Sequence, residues 1–403
     1  MRIAHVISYF QPEFGYHEYY VPREQAAMGH EVHLITSDRI FPFKNVEKML
    51  SDVGSEHRGR FRGVGVTEMD GFTVHRGKTK LEILFDLIVY DGVERSLRKI
   101  EPDVVHAHGL WQWGSRVAAS LKDELGYALV LDEHAYSTTY DMSPTPRNWL
   151  LDKEYRILRA PAARKTLSKA DAVVGICQEA KEFVEEFYKV KNVLLNPLGI
   201  DHRNFTFSEE GRRRVRKEMG LGDGDILLIT AGRLDRAKNL EPFIEAHSHL
   251  GRDDIRMAVI GRGDEGYLSR LKELSSGNVS FLGFRNPKDL RDHYSAADIG
   301  FWGKASITIR EAMSCSLPVI LYDQGNMTDL LKWDNGIAVK EDVEEIGKAF
   351  LTLADDPEMR ERMGKNARRG VMEELSSERE ARELVRIYEE ALEKRSPGAT
   401  SGK

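Results

Sequence analysis

Short apolar runs ending in Gly, His or Ser alternate along this chain with amphipathic stretches of helical period. That alternation predicts repeated βαβ units and parallel sheets. In the first half the predicted strands are IAHVISY, EVHLITS, FTVHRG, DVVHAHG, ALVLDEH, AVVGIC and VLLNPLG, with helical patterns such as EYYVPREQAAMG and GSRVAASLKDELG between them. In the second half they are ILLITAGR, RMAVIGRG, VSFLGF, IGFWG and PVILYDQ, with helices NLEPFIEAHSHL, GYLSRLKELS, PKDLRDHYSAA and IREAMSC. A polar span from Asp201 to Asp225 separates the two series. The expected layout is therefore an α/β pair of Rossmann-like, doubly wound domains over 1–200 and 201–376. A charged helix over 377–395 is expected to return to the first domain, followed by a disordered tail over 396–403. Such sheets hold ligands outside the C-terminal ends of their strands, so two facing domains would share a cleft.

Composition supports this division. With 403 residues, 41% of them hydrophobic, the chain can bury two cores, since single cores rarely exceed about 250 residues. A net charge of −6 argues against a dedicated nucleic-acid binder. Cys177 and Cys315 lack partners at metal spacing and read as reduced core thiols of a cytoplasmic protein. The N-terminus reads as a first strand rather than a signal peptide. No run approaches the roughly 18 apolar residues of a spanning helix.

Candidate chemistry concentrates between Ile226 and Val339. Arg233 and Lys238 follow a buried strand and precede a helix, a receptacle suited to phosphate oxygens; Arg236 is expected to face solvent. Gly261, Gly263 and Gly266 form a literal GxGxxG, but the next strand ends in Gly283, Phe284 and Arg285 rather than an acid, which argues against a nicotinamide site. Glu311 stands three residues after Thr308, which fits a capping box. It also fits a carboxylate for ribose hydroxyls, with N–H groups near Ser306, Ile307 and Thr308 left for a diphosphate. Asp223-Gly224-Asp225 reads as a turn. His106 and His108, two apart on a strand, are expected to face opposite ways with no third metal ligand. His108, Trp111, Trp113 and His134 lie at strand ends where they could meet a sugar or lipid. From Arg147 to Lys169 seven basic residues face two acidic ones, with Trp149, Leu150, Leu151 and Tyr155 interleaved; an anionic membrane surface or a solvated helix face would each fit.

The motifs GRLDRAKN, VIGRGDEG, VSFLGF, SAADIGF, EAMSCSLPVI and DNGIAV, with looser matches such as VISYFQPEFG and EPDVVHAHG, resemble the retaining GT-B glycosyltransferases of family 4. The resemblance implies that Arg233 and Lys238 bind the donor diphosphate, that Glu311 contacts the ribose, and that His134 lines the sugar site. It implies donor contacts from Gly15, Gly232, Gly261, Gly263, Phe284, Arg285, Lys304, Ser306, Ile307 and Thr308. Acceptor contacts are expected from Tyr16, His108, Trp111 and Trp113. Tyr16 stands where a second glycine is common, and the first of the family's paired glutamates falls on Gly303. The expected activity is metal- and cofactor-independent transfer of a hexose-type unit, with retention, from a UDP- or GDP-linked sugar to a glycan, lipid-linked or small-molecule acceptor. Peripheral contact with the inner membrane face through 147–169 would fit. A sugar-nucleotide epimerase or a non-catalytic binder on the same fold are the alternatives.

Overall fold

The structure, a computed structural model, describes residues 1–42, 46–83, 87–134 and 153–395, the side chain of residue 326 excepted. The tail 396–403, and from the basic segment Arg147, Trp149, Leu150, Leu151 and Asp152, lie outside the described residues. The chain divides into two compact units. One comprises Met1–Ser51, Ser55–Gly199 and the chain from Ser377 onward; the other is Asp52–Gly54 with Ile200–Ser376.

The first unit is built on an eight-stranded sheet. Its order is Leu194–Leu195, Ala172–Gly175, Ala128–Glu133, Val104–His108, Arg2–Val6, Glu31–Ser37, Phe72–Gly77 and Gly65–Met69. All pairings are parallel except that of Gly65–Met69, which runs antiparallel to Phe72–Gly77. This edge strand is mostly exposed, Val66 included, and so carries no buried apolar period in the sequence. A separate antiparallel hairpin pairs Thr79–Ile83 with Leu87–Tyr90.

Alternation along the central strands sorts side chains onto two faces. Ala4, Val6, Val105, Ala107, Leu129 and Leu131 enter one core. Ile3, Val104, Ala128 and Val130 enter the other, where Leu384, Ile387, Tyr388 and Ala391 of the helix Ser377–Arg395 cover them. These four recur at helical spacing, and burying each large apolar side chain contributes about 1.5–3 kcal/mol. The helix is tied further by Gly199, whose N–H donates to Glu380 Oε2 at 2.6 Å, and by Asn196, whose side-chain amide donates to Glu380 O at 3.1 Å.

The same alternation corrects one expectation. His106 and His108 share a face, because residues two apart on a strand always do, and their rings stack with centroids 4.4 Å apart. His5 pairs in register with His106, and His108 with Asp132, so all four project from the face that the C-terminal helix covers.

The second unit carries a fully parallel six-stranded sheet, ordered Val279–Gly283, Ile255–Ile260, Ile226–Ala231, Ile299–Trp302, Val319–Tyr322 and Gly336–Val339. Helices on both faces account for its continuous apolar strands. Phe243 packs between Phe301 and Tyr322, at centroid distances of 5.0 and 4.9 Å. Cys315 is buried in this core, whereas Cys177 is only half-buried at the start of the helix Gln178–Tyr188, so it is not the core thiol expected. Asp225 closes the expected turn by accepting the Gly222 N–H at 2.8 Å.

Candidate functional site

In the second unit the candidate residues gather where the strands Ile226–Ala231 and Ile299–Trp302 end. A short 3-10 turn, Arg236–Lys238, leads from the first strand into the helix Glu241–His249. Arg233 projects into solvent and pairs with Asp235, while Arg236 is exposed as expected. Lys238 is partly buried, its Nζ donates to Ala305 O at 3.3 Å, and burial pushes its ammonium below the usual lysine range. Gly232, Arg233, Lys238, Trp302, Gly303 and Lys304 line a shallow crevice.

The helix Ile307–Ser314 has Ser306 as its N-cap, and the Ser306 and Thr308 hydroxyls lie 3.8 and 3.9 Å from where a Cβ on the crevice residue Gly232 would stand. Ile309 N–H donates to the N-cap carbonyl, Ser306 O, at 3.2 Å, which leaves the N–H groups of Ile307 and Thr308 at the end where the helix dipole adds partial positive charge. Thr308 Oγ1 lies 2.8 Å from both Ala231 O and Ser306 Oγ, and it accepts the Trp302 indole N–H at 3.1 Å. Thr308 therefore welds the helix to the strand end and caps nothing. The capping box does not form, because the helix begins two residues before the position that such a box requires. Glu311 sits a full turn in, its Oε2 buried without a hydrogen-bond partner, and burial raises its carboxyl to about 8.

Backbone proximity explains the glycines. A Cβ on Gly261 would lie 1.8 Å from Gly232 O, and one on Gly263 1.9 Å from Leu234 O. The loops after the two strands run side by side, with Leu234 N–H donating to Arg262 O at 2.9 Å and Asp264 N–H to Leu234 O at 2.8 Å. The GxG pair is thus a packing device between neighbouring loops. Phe284 and Arg285 lie at the end of the outermost strand and are not among the crevice residues; the Arg285 guanidinium donates to Phe284 O at 3.0 Å.

The first unit holds the second group. Gly15 takes a left-handed φ of +63°, with Tyr20 Oη 2.5 Å from where its Cβ would stand, and Tyr16 opens the helix His17–Ala27. Trp111 and Trp113 pack against the core; the Arg159 guanidinium lies 4.5 Å from the Trp111 ring and that of Arg116 5.9 Å from Trp113. Arg159 is itself buried and paired with Glu154, so it offers no surface charge.

His134 lies at the mouth of the sheet beside a connected set of polar groups. His5 Nε2 faces Gln25 Oε1 at 2.7 Å, His5 Nδ1 faces His108 Nε2 at 3.2 Å, and His106 Nδ1 faces the Tyr388 hydroxyl at 2.7 Å. Asp132 approaches three rings: His108 Nδ1 at 2.6 Å, His106 Nε2 at 3.3 Å and His134 Nε2 at 3.4 Å. Burial depresses the His108 imidazole to about 4 despite that carboxylate. For His17 burial also opposes charge, but Glu18 and Glu380 outweigh it and raise the ring to about 9. The sequence reading singled out His108 and His134 and missed His5, His17, Glu18, Asp132, Glu380 and Tyr388. A period-two count along strands one, four and five of the first series would have found His5 and Asp132; the helix residues leave no such trace.

Residues 211–370 match the glycosyl transferases group 1 family and residues 16–204 match glycosyltransferase family 4. The chain is 26% identical over 290 residues to a GDP-mannose-dependent monoacylated alpha-(1-6)-phosphatidylinositol monomannoside mannosyltransferase of Corynebacterium glutamicum, covering 68% of this chain and 73% of that one. It is 23% identical to an alpha-monoglucosyldiacylglycerol synthase of Acholeplasma laidlawii, covering 85% and 84%. An uncharacterized glycosyltransferase of Methanocaldococcus jannaschii is 28% identical over 236 residues, and there the match spans only 60% of the relative's length. Among solved structures, sucrose-phosphate synthase from Thermosynechococcus elongatus superposes with a TM-score of 0.72 at 18% identity, covering 98% of this chain and all of that one.

Proposed function

We propose, from the premise that the chain belongs to the GT-B glycosyltransferases of family 4, that it moves a hexose-type unit from a UDP- or GDP-linked sugar to a glycan, lipid-linked or small-molecule acceptor, with retention. One observation carries this reading: Arg233, Lys238 and Lys304 line a single crevice with Gly232, beside which stand the hydroxyls of Ser306 and Thr308 at the start of the helix Ile307–Ser314. As the sugar leaves, negative charge builds on the diphosphate. Fixed cations and N–H groups stabilise it without reorganising, an effect often worth several kcal/mol. That role needs no metal ion. In a front-face transfer the acceptor oxygen bonds to the anomeric carbon as its bond to phosphate breaks, and the acceptor proton passes to the departing phosphate oxygen. Glu311 would accept ribose hydroxyls, and His134 would meet the sugar.

A thermal-shift screen with UDP, GDP and their sugars tests the phosphate assignment, since a ligand that binds the native state raises its melting temperature. The best nucleotide should stabilise the protein, and Arg233→Ala with Lys238→Ala should abolish the shift. An undiminished shift in the double variant would refute it. Product analysis with donor alone separates transfer from epimerisation, and nucleotide binding with no nucleoside diphosphate released across an acceptor panel marks a non-catalytic binder.

The acceptor side draws on the segment after residue 152. Ile157 and Leu158 are 66% and 65% exposed, and Arg156, Arg164 and Lys165 lie close in sequence. Adjacent apolar and basic side chains suit the anionic inner face of a membrane. Among the described residues no helix is long and apolar enough to cross one. Sedimentation with anionic vesicles should weaken for Ile157→Ser with Leu158→Ser and with added salt; unchanged binding counts against the membrane.

A further inference from the structure

We propose that His17, His108 and His134 form a site in the first unit for one divalent transition-metal ion of the Zn²⁺ class. The three histidines each offer a ligand atom, and these atoms lie within 4.8 Å of one another. His17 Nε2 and Glu18 Oε2 are both buried without a hydrogen-bond partner, although Glu18 Oε1 stands 3.6 Å from that nitrogen. Leaving a buried polar atom unpaired costs about 1–3 kcal/mol. An ion bound at His17 would give that nitrogen a partner.

The surroundings fit such an ion. Asp132 stands 2.6 Å from His108 Nδ1 and 3.4 Å from His134 Nε2, and Glu380 Oε1 stands 3.4 Å from His17 Nδ1. Carboxylates behind ligating histidines fix ring orientation and raise ligand basicity. Three imidazoles with an open fourth position are a donor set of zinc, not of Mg²⁺ or Ca²⁺, which take oxygen. Zinc–nitrogen bonds of about 2.0–2.1 Å require the rings to draw together by on the order of 1 Å. His134, with 36% of its side chain exposed, gives the ion a way in. The neighbouring trio His5, His106 and His108 is a poorer candidate, because all three residues are buried and give an ion no comparable way in. An ion held by His134 would withdraw that ring from the sugar and inhibit transfer; this consequence rests on the role proposed above, whereas the binding does not.

Calorimetric titration of the full chain with zinc sulfate, any affinity tag removed, tests the site. One ion per chain should bind, and His134→Ala and His17→Ala should each weaken binding by roughly tenfold or more. His33→Ala with His75→Ala, at a separate histidine pair, should leave it unchanged. Cobalt in place of zinc should show the visible ligand-field bands of a tetrahedral ion, and those bands should fade in His134→Ala. Melting curves without metal confirm that each variant folds; His134 is the least buried of the set, so its variant decides if His17→Ala does not fold. No zinc bound, or undiminished binding by His134→Ala and His17→Ala, overturns the proposal. Zinc bound with no response to UDP or GDP would sink the phosphate assignment alone.

Discussion

Replacing Gly303 by alanine tests whether the crevice is built on backbone contact. A Cβ there would stand 2.4 Å from Lys238 O and 2.6 Å from Asn239 O, with the Tyr322 ring at 3.0 Å. Both oxygens belong to the turn that carries Lys238, so no flexible side chain can move aside. Overpacking of this kind costs about 1–3 kcal/mol, and a clash with two backbone atoms belongs near the upper end. For a unit of this size each kcal/mol lowers the melting temperature by about 2–4 °C, so a fall on the order of 5–10 °C is expected. Gly224→Ala is the control: that glycine has open space around its would-be Cβ, and such a change should stay within about 0.5 kcal/mol. Calorimetry on both variants reads the stability, and the shift produced by UDP or GDP reads whether Lys238 has moved. If Gly303→Ala melts with Gly224→Ala and binds nucleotide as before, the turn is not pressed against this position. By the same geometry Gly303→Glu should destabilise the unit and should not raise activity.

Burial raises the Glu311 carboxyl from 4.5 to about 8. Between those values the native state holds a proton that the unfolded chain has released, so this group subtracts stability as pH rises through that window. Glu311→Gln should therefore lose less stability than the wild type between pH 5 and 8 in urea melts; parallel losses would contradict the assignment. Tyr388→Phe removes the hydroxyl facing His106 Nδ1 at 2.7 Å and Gln25 Nε2 at 3.3 Å. Leaving buried partners unsatisfied should cost about 1–3 kcal/mol by denaturant unfolding, and an unchanged midpoint would show that the network does not hold the helix.

Much of this architecture is legible in the residues because buried parallel strands must be apolar over their whole length. ILLITA and RMAVI carry that mark and form strands, and the division falls at Ile200 as the polar span after it suggests. Gly65–Met69 carries no such mark, since it lies at an edge and buries almost nothing. The crevice was readable too, because Arg233, Lys238 and Lys304 occupy turns that follow strands. The histidine cluster was not, for two reasons. Its members come from three strands and two helices, up to 363 positions apart in the case of Gln25 and Tyr388. The alternation rule was also misapplied at His106 and His108, which hid the one part of it that local pattern shows. The capping box failed for a smaller reason, since several residues near Ser306 are plausible helix starts and only the contact of Thr308 with Ala231 selects one.

The first unit is discontinuous, since its sheet face is covered by a helix encoded at the far end of the chain. During translation the apolar row Ile3, Val104, Ala128 and Val130 must wait, uncovered, while the whole intervening unit is synthesised and folds. A ribosome stalled before codon 377 would present a sticky half-finished sheet to chaperones, and anyone wishing to express this half alone would have to splice residues 377–395 onto residue 199.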